Sequence, residues 1–501
     1  MFAYTTRAFS TVLAFSLLAS TAWADTNLLV DTTADDPAAV SCMDAVPDDC
    51  SLRGAISTAN GLPAMESITI DIPAGDYELT VGGAGGDMNQ TGDLDIQRSL
   101  TIEGPASGGT SILGGGPAGL DDRLLQIHGA GTSVVIRRVG FEGSVPPANL
   151  HAVDVGADAS LEIYDCMMTG NGNTGSGGGA LSVSEGASAL VEDCQLVRNQ
   201  GQAGAGIVIL DGSLTVRTSV FEINQASFRG GAIAVLDNKF GFGQPVRVEG
   251  SRFFNNASDQ GGAIWGGRAT EIDLIDDFFD GNQAINGIFQ NGGAIYSRGE
   301  IVLDGSTITG GTAVQGVAIA IEDEGDGSSR LEMVNSTISD CSSETSIAAV
   351  HLSQTEASLS FSTFALNVID VDSNMSQVSL EANLFEGFCF NAGGAYLSQG
   401  MNLGLNNTCW GGVAAAGDQV EADLRLGPLL TSSGPTPTHR PEATSPAIDH
   451  VAGPCIAVDQ RRHQRPATGC DSGSVERMPS DAIFIDDFEL GNTAAWSVVM
   501  P

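Results

Sequence analysis

Asp121, Asp122 and Arg123 form the one tight acid pair followed by arginine near a strand-like segment. Two carboxylates flanking a scissile bond can share the work of glycoside hydrolysis. Pectate-lyase chemistry would instead need clustered Asp for Ca2+ and an Arg as base. No His-Gly or Arg-x-Lys element accompanies the trio, and the single lysine is Lys239, so a solvated turn is the competing reading. Glu322-x-Glu324-x-Asp326-Gly327 has the 1-3-5-Gly opening of an EF-hand-like loop. Its twelfth position is Met333, where a bidentate Glu is needed. Glu322, Glu324 and Asp326 are therefore Ca2+ candidates set against an acidic, solvated insertion, and Ca2+ is the one cofactor the chain raises. The histidines at 128, 151, 351, 439, 450 and 463 never fall into H-E-x-x-H or another zinc spacing. His439, His450 and His463 gather near Asp449 and Asp459. No G-x-S-x-G is present, so a nucleophile elbow is absent.

The elements that must position such residues come from composition and periodicity. Asp and Glu number 61 against 21 Lys and Arg, a formal charge of −40. Such a chain is a poor partner for a phosphate backbone or an anionic membrane surface, so nucleic acid is excluded as the expected partner. Hydrophobic residues make up 42%, enough for a large core, which disfavours disorder. Residues 1–24 read as a signal peptide, with Arg7, an apolar Phe9 to Leu18 and cleavage after Ala22-Trp23-Ala24. The apolar run is shorter than the ~20 residues a spanning helix needs. Export permits disulfides. Cys42/Cys50 and Cys455/Cys470 are the first two expected pairs and Cys389/Cys409 a third, and with nine cysteines at least one thiol stays free or pairs between chains.

The middle of the chain repeats. A Gly-Gly-Ala-aliphatic turn stands at 178–181, 230–233, 261–264 and 292–295. An alternating run follows each copy, as in Leu214-x-Val216-x-x-Ser219-x-Phe221-x-x-Asn224 and Val246-x-Val248-x-x-Ser251-x-Phe253-x-x-Asn256. The small slot reads Val139, Cys166, Cys194, Ser219, Ser251, Asp277, Ser306, Ser336, Ser362, Asn383 and Thr408, with a large apolar residue two places on, from Phe141 to Trp410. The step averages about 27 residues. Period-two alternation means strands, and equivalent residues at a fixed step mean coils stacked on one another. The fold class is all-β, a parallel β-helix, with Asn stacking along the turn that closes each coil. One turn must absorb insertions, with candidates at Asp237–Gln244, Ala284–Asn291 and Glu322–Ser329.

The pairing of Gly-Gly-Ala-Ile with Phe-x-x-Asn resembles the repeats of polymorphic outer membrane proteins over roughly 134–412. That resemblance implies a right-handed solenoid displayed at a cell surface, often as an adhesin, although no tail resembles an autotransporter barrel. Cys50-Ser51-Leu52-Arg53-Gly54-Ala55 resembles the CSLREA segment that opens many exported bacterial β-helix proteins, with Gly54 in place of Glu. It is read as a capping helix from Leu52 to Asn60. Ser445-Pro446-Ala447-Ile448-Asp449, Asp459-Gln460-Arg461 and Cys470-Asp471-Ser472-Gly473 resemble the end region of choice-of-anchor β-helix proteins, implying address rather than chemistry. The last residues resemble a tail found on secreted proteobacterial proteins.

The expected organisation is a signal peptide at 1–24, an N-terminal cap at 25–65, a β-helix at 66–426, an anchor-like region at 427–480 and a tail motif at 481–501. The expected setting is extracellular or the outer-membrane surface of a bacterium. The favoured function is non-catalytic, adhesion or glycan binding, with an extended polysaccharide or a host or matrix surface as ligand. A polysaccharide lyase or glycoside hydrolase is the first alternative and a structural envelope component the second. Exposed aromatics along one strand face would favour glycan binding, and a tight Asp/Arg constellation on one face would favour the enzyme.

Overall fold

Each coil is built around one small polar slot. Residues just before it, such as Asp165, Asp193, Thr218, Asp276 and Asn335, take a left-handed backbone with φ between 45° and 57°. That kink turns the chain from one sheet into the next. In the slot itself, the hydroxyl of Ser219 accepts from the backbone N–H of Cys194 one coil earlier, at 3.0 Å. The pattern runs on through Ser251, Asp277, Ser306, Ser336, Ser362, Asn383 and Asn402. The second corner is held by asparagine. The Asn199 side-chain oxygen accepts from the backbone N–H of Asn171 at 3.0 Å, and Asn224, Asn256 and Asn282 repeat this one coil on each time. Their amide nitrogens donate along the same ladder. An amide suits the position because it donates and accepts at once. The glycine pair has divided duties. Gly261 has φ +63°, and a Cβ on Gly262 would meet the Gly293 carbonyl oxygen at 2.1 Å.

These corners define a right-handed parallel β-helix. The computed structural model describes residues 25–478, apart from short stretches at 44–45, 64–66, 84–87, 116–119, 121, 146–149, 174–177, 237–245, 286, 326, 342–346, 412 and 432–433. Three long parallel sheets form the faces. The first has 14 strands, from Asp25–Leu29 to Ala395–Gly400. The second has 14, from Gly75–Glu78 to Gln419–Val420, and the third has 12, from Leu94–Ile96 to Phe388–Ala392. Parallel crossovers of this kind are right-handed in nearly all proteins. A short fourth sheet of four strands, Gln200–Ala203 to Gln283–Ala284, lies between the second and third. Phe221, Phe253 and Phe279 stack inside with centroids 4.9 and 4.6 Å apart. Each such ring contributes about 1.5–3 kcal/mol by burial.

The ends are closed. The helix Leu52–Gly61 covers the first coil, with Ser51 as its N-cap accepting from Gly54 N–H. At the other end the register departs from the sequence reading. Phe385 pairs with Gly404, and the small slot after Asn383 is Asn402 rather than Thr408. Thr408 and Trp410 belong to a 3-10 turn that plugs the last coil, tied to it by Cys389–Cys409. The last coil is short, so stepping by a mean repeat overshoots it. Cys42–Cys50 and Cys455–Cys470 are also bonded, and Cys166, Cys194 and Cys341 are buried thiols. Residues 436–476 pack along the outside of the second sheet, where Gln460 bonds Thr307 and Thr337, and Ser474 bonds Thr363. Among the described residues no helix is long and apolar enough to cross a membrane.

Two stability predictions follow from the ladders. Asn224→Ala removes a donor and an acceptor from fully buried neighbours and should cost about 1–3 kcal/mol, seen as a lower denaturant midpoint. An unchanged midpoint would remove the ladder from the account. Asp277 sits where other coils hold Ser, its Oδ2 has no hydrogen-bond partner, and complete burial pushes its carboxyl well above the usual range. The raised folded value means that its contribution is full below the unfolded carboxylate pKa near 4 and is lost as pH rises. Asp277→Ser should therefore raise the midpoint at pH 7 and leave it nearly unchanged at pH 3.5.

Candidate functional site

In a parallel in-register sheet, the central residues of successive strands form one outward row. In the third sheet that row begins Asp95, Gln126, Asp154, Ser182. It continues through Val208, Ala234, Trp265, Tyr296 and Ala320 to His351, Asp372 and Phe390. From Val208 to Ala320 the row is a buried apolar cluster, with Ala203 of the fourth sheet packed on it and Arg229 lying 4.3 Å over the Trp265 ring. The fourth sheet begins in the coil that carries Val208, so the polar part of the row lies just beyond its first strand.

The polar part is dense. Asp154 Oδ2 receives Arg123 Nη1 at 2.7 Å and Gln126 Nε2 at 3.1 Å, and its Oδ1 receives Ser182 Oγ at 2.6 Å. Arg123 Nε lies 3.3 Å from Asp93 Oδ2 and 3.7 Å from Asp122 Oδ1. His128 Nε2 meets Asp95 Oδ1 at 2.5 Å. Asp93, Asp95 and Asp122 are buried, while Arg123, His128 and Asp154 keep partial exposure. Neither oxygen of Asp93 accepts a hydrogen bond, and Asp95 Oδ2 and His151 Nε2 have no hydrogen-bond partner. Buried polar atoms left in this condition need an explanation, and a role in binding or chemistry is one.

The electrostatics separate two groups. Burial pushes the Asp93 carboxyl up to about 7, reinforced by Asp122 and Asp95 and opposed by Arg123. Burial lowers His151 to about 4, with Asp154 opposing and Arg123 assisting. Between the two values, at about pH 5–6, Asp93 carries its proton and His151 does not.

The N-terminal cap sets this geometry. Arg53 is fully buried, pairs with Asp35 at 2.5 Å and donates to the carbonyls of Gly92 and Asp93 at 2.8 and 3.0 Å. Asn60 of the same helix donates to the Asp95 carbonyl at 2.7 Å, and Asn89 brackets Asp95 through its N–H and C=O. The Cys-Ser-Leu-Arg segment therefore fixes the strand carrying two of the site's acids.

Of the residues singled out in the sequence, Asp122 and Arg123 lie in this cluster and Asp121 lies outside the described residues. Asp93, Asp95, Gln126, His128, His151, Asp154 and Ser182 were missed. Their signal is register, visible only once the first coils are aligned with the later ones. The Ca2+ candidates are placed elsewhere. Glu322 accepts from Asn291 and Tyr296 at 3.0 and 2.9 Å, and Glu324 pairs with Arg298 at 2.8 Å and with Arg268. Asp326 lies outside the described residues. Arginines thus occupy the side of Glu324 that a cation would take, and among the described residues no group of three or more His, Cys, Asp or Glu is arranged to hold a metal ion. His439, His450 and His463 stay apart. His439 bonds Ser339 and Gly427, His450 bonds the Gly417 carbonyl, and the His463 backbone N–H bonds Asp459. Arg137 lies over the Tyr164 ring at 4.3 Å and Arg138 pairs with Glu103, both on the outer face.

The sequence matches no family model and no curated protein. Three solved structures are similar in outline. A mannuronic acid specific polysaccharide family 6 lyase from human gut microbiota is 12% identical, with TM-score 0.36, covering 76% of this chain and 86% of that one. A PL6 alginate lyase in complex with a trisaccharide is 10% identical, with TM-score 0.37, covering 86% and 93%. The pectate lyase Pel9A is 14% identical, with TM-score 0.32, covering 91% and 98%.

The pH dependence of stability tests the Asp93 environment. Its folded value of about 7 exceeds the unfolded value near 4, so its contribution is full below pH 4 and is lost as pH rises to 7. Asp93→Asn should be more stable than the parent at pH 8, by about 4 kcal/mol at most, and match it at pH 4. Parallel pH profiles of the two proteins would contradict the buried-acid assignment.

Proposed function

We propose that the protein is an exported polysaccharide-cleaving enzyme, of the lyase or glycoside hydrolase kind, with its acid–base centre at Asp93 and His151. One observation carries this reading. A carboxyl raised to about 7 and an imidazole lowered to about 4, both buried and with no hydrogen bond on either Asp93 oxygen or on His151 Nε2, each interact with Arg123. Cleaving a glycosidic bond needs a proton delivered to the departing oxygen and one removed elsewhere. Asp93 is suited to the first task and His151 to the second, each worth about 10²–10⁴ in rate. Asp154, gripped by Arg123, Gln126 and Ser182, orients the arginine.

The cluster moves the balance away from the binding role that the sequence alone favoured. Among the described residues two exposed phenylalanines, Phe388 and Phe390, share one strand face, but no row of exposed aromatics runs from coil to coil. Phe228 and Phe289 lie in different coils from these and from each other, and the half-buried Phe254 and Phe278 form an edge-to-face pair at 5.7 Å. An extended polysaccharide remains the ligand class that fits a row of stacked strands. The export assignment rests on residues 1–24, which lie outside the described residues.

The test is a panel of polysaccharides incubated with the purified full chain, with and without Ca2+, read for new reducing ends and for unsaturated ends. Product is expected from at least one polymer. Asp93→Asn and His151→Gln should each lower the rate at least about 100-fold with an unchanged circular dichroism spectrum. Binding without product across the panel would return the protein to the adhesin or glycan-binding reading.

A further inference from the structure

The two ends of the solenoid are finished differently. A ten-residue helix, Leu52–Gly61, covers the first coil. At the far end the three-residue turn Thr408–Trp410 fills the interior and leaves strand edges uncovered. Phe388–Ala392 is the last strand of the third sheet and Ala395–Gly400 the last of the first sheet. Neither has a strand on its far side among the described residues. Such an edge offers unpaired N–H and C=O groups to any matching strand, and proteins ordinarily blunt it with charge or proline. Here neither is used. Between Glu386 and Asp418, 31 residues contain no Asp, Glu, Lys, Arg or Pro, the longest charge-free run in the chain. At the chain's 16% of charged residues, such a stretch would hold about five. Phe388, Phe390, Leu397 and Val413, all within it, are exposed.

Charge points to the occupant. Two copies of a chain at −40 repel one another over most of their surfaces. Contact between them is least opposed where neither carries charge, and the last coil is that place. A charged ligand, of either sign, would find no counter-charge on this run. The helix over the first coil closes that end, so an open edge cannot stack on it head to tail. The open end can therefore meet only another open end. We propose that the last coil is a self-association surface on which a second copy of the chain docks end to end about a two-fold axis, the strand Phe388–Ala392 pairing antiparallel with its own copy. A two-fold brings a strand antiparallel to itself, uses the open end of both chains and leaves none for a third. Pairing centred on Phe390 sets the two Phe390 rings side by side and each Phe388 opposite an Ala392. This surface is remote from the acid–base centre and does not depend on it.

The test is analytical ultracentrifugation of the purified full chain over a wide concentration range, in about 0.02 M and about 0.5 M sodium chloride. A species of twice the chain mass is expected to grow with concentration. Its dissociation constant should be at least about tenfold lower at the higher salt, where the repulsion between copies is screened. Phe390→Glu and Ala392→Lys each place a charge at the paired edge on an exposed side chain. Each should raise the dissociation constant at least about 30-fold with an unchanged circular dichroism spectrum. Met43→Glu, an exposed position at the capped end, should leave it within about threefold. A monomer at every concentration and salt would overturn the proposal, as would a dimer that both edge variants leave intact. Assemblies that grow without limit would overturn the two-fold arrangement.

Discussion

Every slot in this molecule has its own copy as nearest neighbour, one coil away at about 4.8 Å. That single constraint decides which residues can repeat. Asparagine can, because its amide accepts from the coil before it while donating onward, as Asn171 through Asn282 do. Serine can, because its hydroxyl accepts an N–H and also donates within its own coil, as Ser219 does to Arg217. Phenylalanine can, because parallel rings share one apolar column. A carboxylate cannot, since its copy would repel it. Asp277 enters the serine ladder alone, between Ser251 and Ser306, and burial disfavours its charged form.

The same constraint shapes the candidate site. The outer row of the third sheet alternates acid with neutral polar groups, Asp95, Gln126, Asp154, Ser182. Gln126 and Ser182 both donate to Asp154, so the spacing that keeps the two acids apart also supplies donors to one of them. Arg123 belongs to the coil between Asp93 and Asp154 and reaches both. Beyond Ser182 the row becomes apolar and the fourth sheet begins. The cap helix fixes the other side through Arg53 and Asn60.

Much of the fold was legible because the constraint writes itself into the sequence as a period. The slots from Cys166 to Asn383, the Phe column and the Asn corner all follow from stepping about one coil at a time. Two things were not legible that way. The left-handed residue before each slot is Asp, Thr, Gly, Asn, Phe, Ala or Met in different coils, so its type carries little pattern although its φ hardly varies. The site lies in the first coils, where the Gly-Gly-Ala turn and the Asn corner are missing and nothing anchors the register. Asp122 and Arg123 stood out as neighbours in sequence. Asp93, His151 and Asp154 join them only through stacking, about one coil away on either side.

The C-terminal segment shows what distinguishes the site from ordinary charge pairing. Arg462 bridges Asp276 and Asp304, carboxylates of adjacent coils, and Arg123 bridges Asp93 and Asp154 from the coil between them. The Asp-Gln-Arg block beside it, read from sequence as an address, clamps this segment to the solenoid through Gln460 and the buried Asp459–Arg461 pair. The device is the same in both places, an arginine relieving the repulsion that stacking imposes. The difference lies in hydrogen bonding. Both Asp276 oxygens accept from Arg462, whereas neither Asp93 oxygen accepts from any donor. An ion pair with arginine therefore does not by itself settle how a carboxyl is held here. A carboxyl that is buried, placed beside other acids and left without a donor is instead pushed up toward neutrality.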